Sequence, residues 1–246
     1  MDLSGVERVE EIETVQGQFI FDSTVPLDKK CIGTGSWLPD KNLWEKDLIE
    51  MVHNSLKDKT NPVIVDVGAN CGSYALLAIK HSQMKVLAFE PQPNTFQFLT
   101  NNIKLNGVED RVTVLPYAVG EHEAELDLKS PTNDHQGLCT LGDTPKRFNQ
   151  WKTFKVKQIA CDLAFCEKHG IDHVDFIKID TEGWEVHVLK GMTDMIMKYR
   201  PHLLLEIWSQ NLAQCGLNEC DLYTVLVNLR YTWKLVSHED LYCTPL

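Results

Sequence analysis

The stretch DFIKIDTEGWE (175–185) sets Lys178, Asp180, Glu182 and Glu185 in and just after a run whose Phe176, Ile177 and Ile179 read as a buried strand. A strand covered on both faces of a parallel sheet is normally apolar throughout, so ionisable groups at its carboxyl end need a purpose. Residues two apart on a strand share a face, which puts Lys178 beside Asp180, where the ammonium can hold the acid ionised. Glu182 follows in a turn that Gly183 tightens, and Glu185 opens a helix where its charge suits the dipole. Glu206 ends the apolar stretch HLLLEIW (202–208), expected as the neighbouring strand that sets a second acid beside Asp180. Asp180 and Glu206, helped by His135, could hold Mg²⁺ or Mn²⁺ as oxygen ligands and present an acceptor hydroxyl in ionised form.

A second constellation lies upstream. VIVDVGANCGSYALL (63–77) has the order strand, glycine turn, helix that binds nucleotide-like cofactors. Its glycines are Gly68 and Gly72, without the GxGxxG spacing that lets a pyrophosphate approach the backbone. A cofactor without phosphates fits better, and S-adenosylmethionine is one. Asp66 at the strand end can face its cationic part, and Glu90, ending KVLAFEP (85–91), can accept both ribose hydroxyls.

These groups need a scaffold, and short apolar runs alternating with helical patterns supply it. Strands are predicted over 62–68, 85–91, 111–120, 174–180, 202–208 and 231–236, with a final hairpin strand near LYCTP. Helices are predicted over 43–58, 73–82, 93–107, 161–170, 185–198 and 219–230. Alternation of this kind implies βαβ units and a doubly wound, mostly parallel sheet with helices on both faces and a terminal antiparallel strand. The rhythm breaks over 121–160, where AELDLK and TFKVKQI alternate like hairpin strands around a polar loop. The chain thus divides into an N-terminal extension, 1–60, whose helix packs on the core, and a catalytic domain, 61–246, with an inserted acceptor-side segment, 121–160. His135, in NDHQG within that insertion, is the candidate general base, while His187 and His202 read as structural. Trp184 and Trp208 could stack on a sugar ring or simply fill space between helix and sheet.

The formal charge of −11 repels a phosphate backbone, so nucleic acid is not an expected partner. No apolar run approaches the length of a membrane span, and MDLSGVERVEEIE lacks the features of a secretory leader, so a cytoplasmic protein is expected. Eight scattered cysteines without a CxxC pair argue against a zinc site and for reduced thiols.

VDVGANCGSY, FEPQPNTFQFLTNNIKLNG, ACDLAF and above all VDFIKIDTEGWEVHVLKG followed by RPHLLLEIW resemble the FkbM family of S-adenosylmethionine-dependent methyltransferases, over roughly residues 60–210. The resemblance implies a class I methyltransferase fold and O-methylation of a sugar or glycan, or alternatively of a polyketide or other small molecule. It implies cofactor contacts by Asp66, Gly68, Asn70, Gly72 and Glu90, with Asp180, Glu182 and Glu206 at the active cleft. PYAVGE, at the end of the third strand, has no acid for the adenine amine, so Ala118 or the backbone must serve there. Two other classes remain in view: a nicotinamide-dependent oxidoreductase, opposed by the missing GxGxxG, and a non-catalytic module, opposed by the retained acids. Oligomeric state is not fixed by the sequence.

Overall fold

The computed structural model describes residues 9–14, 17–22, 45–132, 138–144 and 150–246. The first two segments pair as an antiparallel hairpin, β1 (Val9–Thr14) with β2 (Gly17–Asp22). The main sheet takes β3 (Val63–Val67), β4 (Lys85–Phe89), β5 (Val112–Leu115), β9 (Phe176–Ile179), β10 (His202–Glu206), β11 (Tyr231–Leu235) and β12 (Asp240–Pro245). Its order is β11-β12-β10-β9-β3-β4-β5, with β3, β4, β5, β9 and β10 parallel. β12 runs antiparallel to both its neighbours. The chain starts at mid-sheet, runs outward to β5 and returns to the other side of β3, so the strand order reverses between β3 and β9. That switch point is where such sheets bind ligands.

The sheet is apolar on both faces, and the alternation along each strand assigns residues to one side or the other. Val63, Val65, Val67, Ile177, Ile179, Leu203 and Leu205 face one core. That core is closed by α4 (Glu185–Gly191), α5 (Thr193–Tyr199) and α7 (Glu219–Asn228). Ile64, Val86, Ala88, Phe176 and Leu204 face the other. There α1 (Lys46–Leu56), a 3₁₀ helix (Ala75–Ile79) and α2 (Pro93–Leu105) cover the sheet. α1 docks through Leu48, Ile49, Val52 and Leu56, the residues its spacing brings to one side. Asp66 and Lys178 fall on this second face, in register with each other.

Three predicted elements differ in the structure, and one helix is new. The helix expected over 73–82 is the shorter 3₁₀ turn. The strand expected over 111–120 breaks at Pro116, which has no N–H for the ladder. β5 stays in the main sheet while β6 (Tyr117–Val119) joins a three-stranded sheet with β7 (Ala124–Pro131) and β8 (Trp151–Ile159). The helix expected over 185–198 divides at Met192 into α4 and α5. Ser209–Gln214, unassigned from sequence, forms α6, and α3 (Leu163–Lys168) falls within the helix expected over 161–170. Among the described residues, no helix is long and apolar enough to cross a membrane.

Candidate functional site

A cavity of about 790 Å³ opens at the carboxyl ends of β3, β4, β9 and β10. Its floor is the glycine turn. Gly68 has φ +80, and a Cβ there would lie 1.8 Å from the Asp180 carbonyl oxygen, so the tips of β3 and β9 meet only because position 68 has no side chain. The turn's amides are spoken for: Gly68 and Ala69 donate to Phe89 O (3.0 and 2.9 Å), and Gly72 donates to Ala69 O (2.9 Å). The Asn70 amide donates to Glu90 Oε2 at 3.0 Å. Asn102, buried on α2, braces the turn by donating to Cys71 O at 2.9 Å.

Glu90 follows β4, and its other oxygen takes the Gln92 amide at 2.8 Å. Burial raises its pKa to about 7 against those two amides, which pull it down. Asp66 is different. It is 1% exposed, and neither carboxylate oxygen has a well-formed hydrogen bond. Burial raises it to about 7, Lys178 and, weakly, the Ala75 amide pull it down, and Asp180 and Glu90 push it further up.

Lys178, 2% exposed, is the cation around which the acids gather. Its Nζ lies 3.7 Å from Asp180 Oδ2 and 3.4 Å from Asp240 Oδ1, and 5.4 Å from the centre of the Tyr74 ring. The Tyr74 hydroxyl donates to Glu45 Oε2 at 2.6 Å. Burial alone would push the ammonium down, but Glu45, Asp180, Asp240 and Glu206 outweigh it and hold Lys178 well above the ordinary lysine range. Burial raises Asp180 against Lys178, with Glu185 and Asp240 adding to it, although a third of its side chain faces the cavity. Burial, then Asp180 and Glu182, lift Glu206 well above the carboxylate range.

The turn after β9 carries Glu182 at φ +53, steadied by Asn211 Nδ2, which donates to Glu182 Oε2 at 2.5 Å. Oxygens of Asp180, Glu182 and Glu206 lie within 4.8 Å of one another. Glu185, expected as a helix-end charge, has a larger part: its Oε1 accepts from the Thr181 amide (3.0 Å), the Thr181 hydroxyl (3.0 Å) and the Gly183 amide (3.1 Å). It ties the whole turn to the first residue of α4.

β6 brings Tyr117, Ala118 and Val119 to the cavity, and the segment after β6 adds Leu128, Cys139 and Leu141. Trp184 lines it too, its indole N–H donating to Gln158 Oε1 at 3.0 Å and its ring stacked on His187 at 3.9 Å. Trp208 stands outside that wall, before α6. His187 pairs with Glu121 at 2.9 Å, and the His202 ring lies 2.7 Å from the Tyr242 hydroxyl. His135 lies outside the described residues. The structure thus brings together Asp66, Gly68, Asn70, Glu90, Ala118, Lys178, Asp180, Glu182 and Glu206. Gly72 stands behind the floor, packed against Leu99. Sequence reasoning missed Glu45, Tyr74 and Asp240, which reach the corner from α1, the turn and β12. The polar SHED run before LYCTP was the available signal for Asp240.

The sequence profile of the Methyltransferase FkbM domain matches residues 66–228, more than half of the chain. The chain belongs to the FkbM methyltransferase domain family. Among its relatives in that family, methyltransferase sdnD of Sordaria araneosa is 25% identical over 174 residues, 61% of this chain and 67% of that protein. Hexuronic acid methyltransferase AglP of Haloferax volcanii is 30% identical over 159 residues, 62% of this chain and 58% of that one. A crystal structure of methyltransferase FkbM from Methylobacillus flagellatus shares the fold, with a TM-score of 0.54 at 20% identity, over 82% of this chain and 46% of that chain. The chain therefore spans about half to two thirds of the length of these relatives.

Proposed function

We propose that the protein transfers a methyl group from S-adenosylmethionine to a hydroxyl oxygen of a sugar or glycan. The carrying observation is the glycine turn. Four of its amides are already bonded within the protein, so it has little left for a pyrophosphate, while Glu90 stands fixed at the next strand tip. That supports an adenosyl cofactor without phosphates over a nicotinamide dinucleotide. In this reading Glu90 accepts the two ribose hydroxyls, Asp66 meets the positive charge of the methionine end, and Gly68, Asn70 and Gly72 shape the floor. Ala118 and its backbone flank the adenine.

Residues 61–246 form the catalytic unit, with 121–160 on the acceptor side, because Leu128, Cys139 and Leu141 reach the cavity wall. Methyl transfer forms an O–C bond as the S–C bond breaks in line, and the acceptor hydroxyl must lose its proton. Asp180 and Glu206 take that proton. Burial lifts both above the usual range, which makes them stronger bases near neutral pH than exposed acids. Lys178 positions Asp180, and Glu182 borders the acceptor. His135 is a second candidate base from the inserted segment.

A divalent ion, Mg²⁺ or Mn²⁺, is the second reading, favoured by the mutual proximity of the Asp180, Glu182 and Glu206 oxygens. Undiminished turnover after dialysis against a chelator would remove it. The acidic cavity wall argues against a nucleic-acid acceptor, and seven free thiols among the described residues suit the reducing cytoplasm. The test is calorimetry with S-adenosylmethionine and its demethylated product, followed by mass spectrometry of methyl transfer to a panel of neutral, amino and acidic oligosaccharides. Heat with both compounds and a mass gain of one methyl on a hydroxyl is expected; no heat on folded protein, or binding of a nicotinamide cofactor instead, overturns the proposal.

A further inference from the structure

The cavity wall is one-sided in charge. Its described lining carries nine carboxylates, from Glu45 at the N-cap of α1 to Asp240 on β12, against two lysines, Lys46 and Lys178, and one histidine, His238. One of those lysines is already enclosed, since Lys178 is 2% exposed and paired with Asp180 and Asp240. S-adenosylmethionine carries one net positive charge, and in the function proposed above Asp66 and Glu90 serve it. Seven carboxylates are left on the remaining wall, and the group that must receive the acceptor, Asp180 with Glu182 and Glu206, is three carboxylates with oxygens within 4.8 Å of one another.

We infer that the acceptor pocket selects by charge: it takes acceptors bearing a protonated amine first, neutral ones second, and excludes uronic acids and phosphorylated sugars. This rests on the reading of the cavity as a methyl-transfer site and names its substrate class. The physical reason is an asymmetry. Acids crowded on one wall repel one another, and an incoming ammonium relieves that repulsion, less the cost of any proton it displaces. An incoming carboxylate finds only Lys46 as a lysine counter-charge outside the enclosed Lys178, because neutralising an acid with a proton supplies no positive group. Like charges brought together in a partly desolvated cleft cost far more than they do in water. The relative that acts on a hexuronic acid, at 30% identity, therefore does not predict the acceptor here.

The test uses three isosteric probes, methyl β-D-glucosaminide, methyl β-D-glucoside and methyl β-D-glucuronide, titrated by saturation-transfer NMR into protein saturated with S-adenosylhomocysteine. The glucosaminide is expected to bind most tightly and the glucuronide at least about tenfold more weakly, a gap that corresponds to roughly 1.4 kcal/mol. Reversing two carboxylates of that wall that take no part in cofactor contact or proton transfer, Asp47→Lys with Glu239→Lys, should narrow that gap at least threefold without unfolding the chain. Equal binding of the three, a preference for the glucuronide, or a gap insensitive to the reversal overturns the inference. A second trio, benzylamine, benzyl alcohol and benzoate, separates the two layers of the argument. If no sugar binds but benzylamine outcompetes benzoate, the sugar acceptor falls and the charge rule stands. If neither trio is ranked by charge, the rule itself falls.

Discussion

Glu90 and Glu206 occupy equivalent positions, each ending an apolar parallel strand at the same edge of the sheet, yet their surroundings are opposite. Each Glu90 oxygen takes a backbone amide from a turn within twenty residues, so the carboxylate is held by its own neighbourhood before any ligand arrives. Glu206 faces Asp180, Glu182 and Glu185, with Lys178 as the compensating charge among the groups acting on it. The first region is a preorganised acceptor of hydrogen bonds. The second is a set of like charges that only protons, Lys178 or a ligand can relieve. The contrast teaches that acids of one type at one sheet edge can serve as a fixed cradle or as a proton sink, according to which donors the chain brings to them.

The comparison breaks most readily at Lys178, the one buried lysine among the described residues. Lys178→Met leaves Asp180, Asp240 and Glu45 without their shared counter-charge, and a loss of about 3–5 kcal/mol in stability is expected from chemical denaturation. Asp240→Asn added to it should recover part of the loss. On the cradle side, Glu90→Ala removes the acceptor of two amides, which costs about 1–3 kcal/mol of stability and should also weaken S-adenosylmethionine at least tenfold by calorimetry. Asp66→Asn sharpens the contrast, because it should weaken the cofactor by about 1.5–3 kcal/mol while leaving thermal stability at pH 8 unchanged or higher. The removed charge has no well-formed hydrogen bond within the protein. Glu185→Ala unties residues 181–183 and should lower kcat with little change in cofactor affinity, since its bonds all serve the turn that carries Glu182.

The smallest effect is with pH. Burial raises both Asp66 and Glu90 to about 7, from ordinary values of 3.8 and 4.5. Between about pH 4 and 7 the folded chain then holds protons that the unfolded chain has released, so the stability of the ligand-free protein should fall as pH rises through that window and level off above it. Cofactor affinity should run the other way, rising toward pH 8, because the cation binds the ionised acids. Melting curves at pH 5–8 without ligand, and calorimetry in buffers of different ionisation heat, check both signs.

Much of this was legible in the chain. The switch-point sheet follows from alternating apolar runs and helical patterns, and the acids at 66, 90, 180 and 206 stand out because each interrupts or ends a run that should otherwise be apolar. The rest depended on distant pairings. The break at Pro116 moves Ala118 onto a second sheet, which the continuous pattern of RVTVLPYAVG conceals. Glu185 read as a helix-end charge because its spacing allows that, while its bonds to the turn require the folded geometry.

What the sequence by itself determined is periodicity and local chemistry: which residues lie on strands, where glycine frees the backbone at position 68, and which acids sit at strand tips. Only the tertiary structure decided the electrostatic character of those acids. Glu45, Asp240 and Lys178 come from α1, β12 and β9, more than a hundred residues apart at the extremes, and a charge is set by what surrounds it in space. Side-chain period is a property of a few consecutive residues and survives in the bare sequence, whereas burial and Coulomb energy are sums over neighbours that exist only after the sheet has closed.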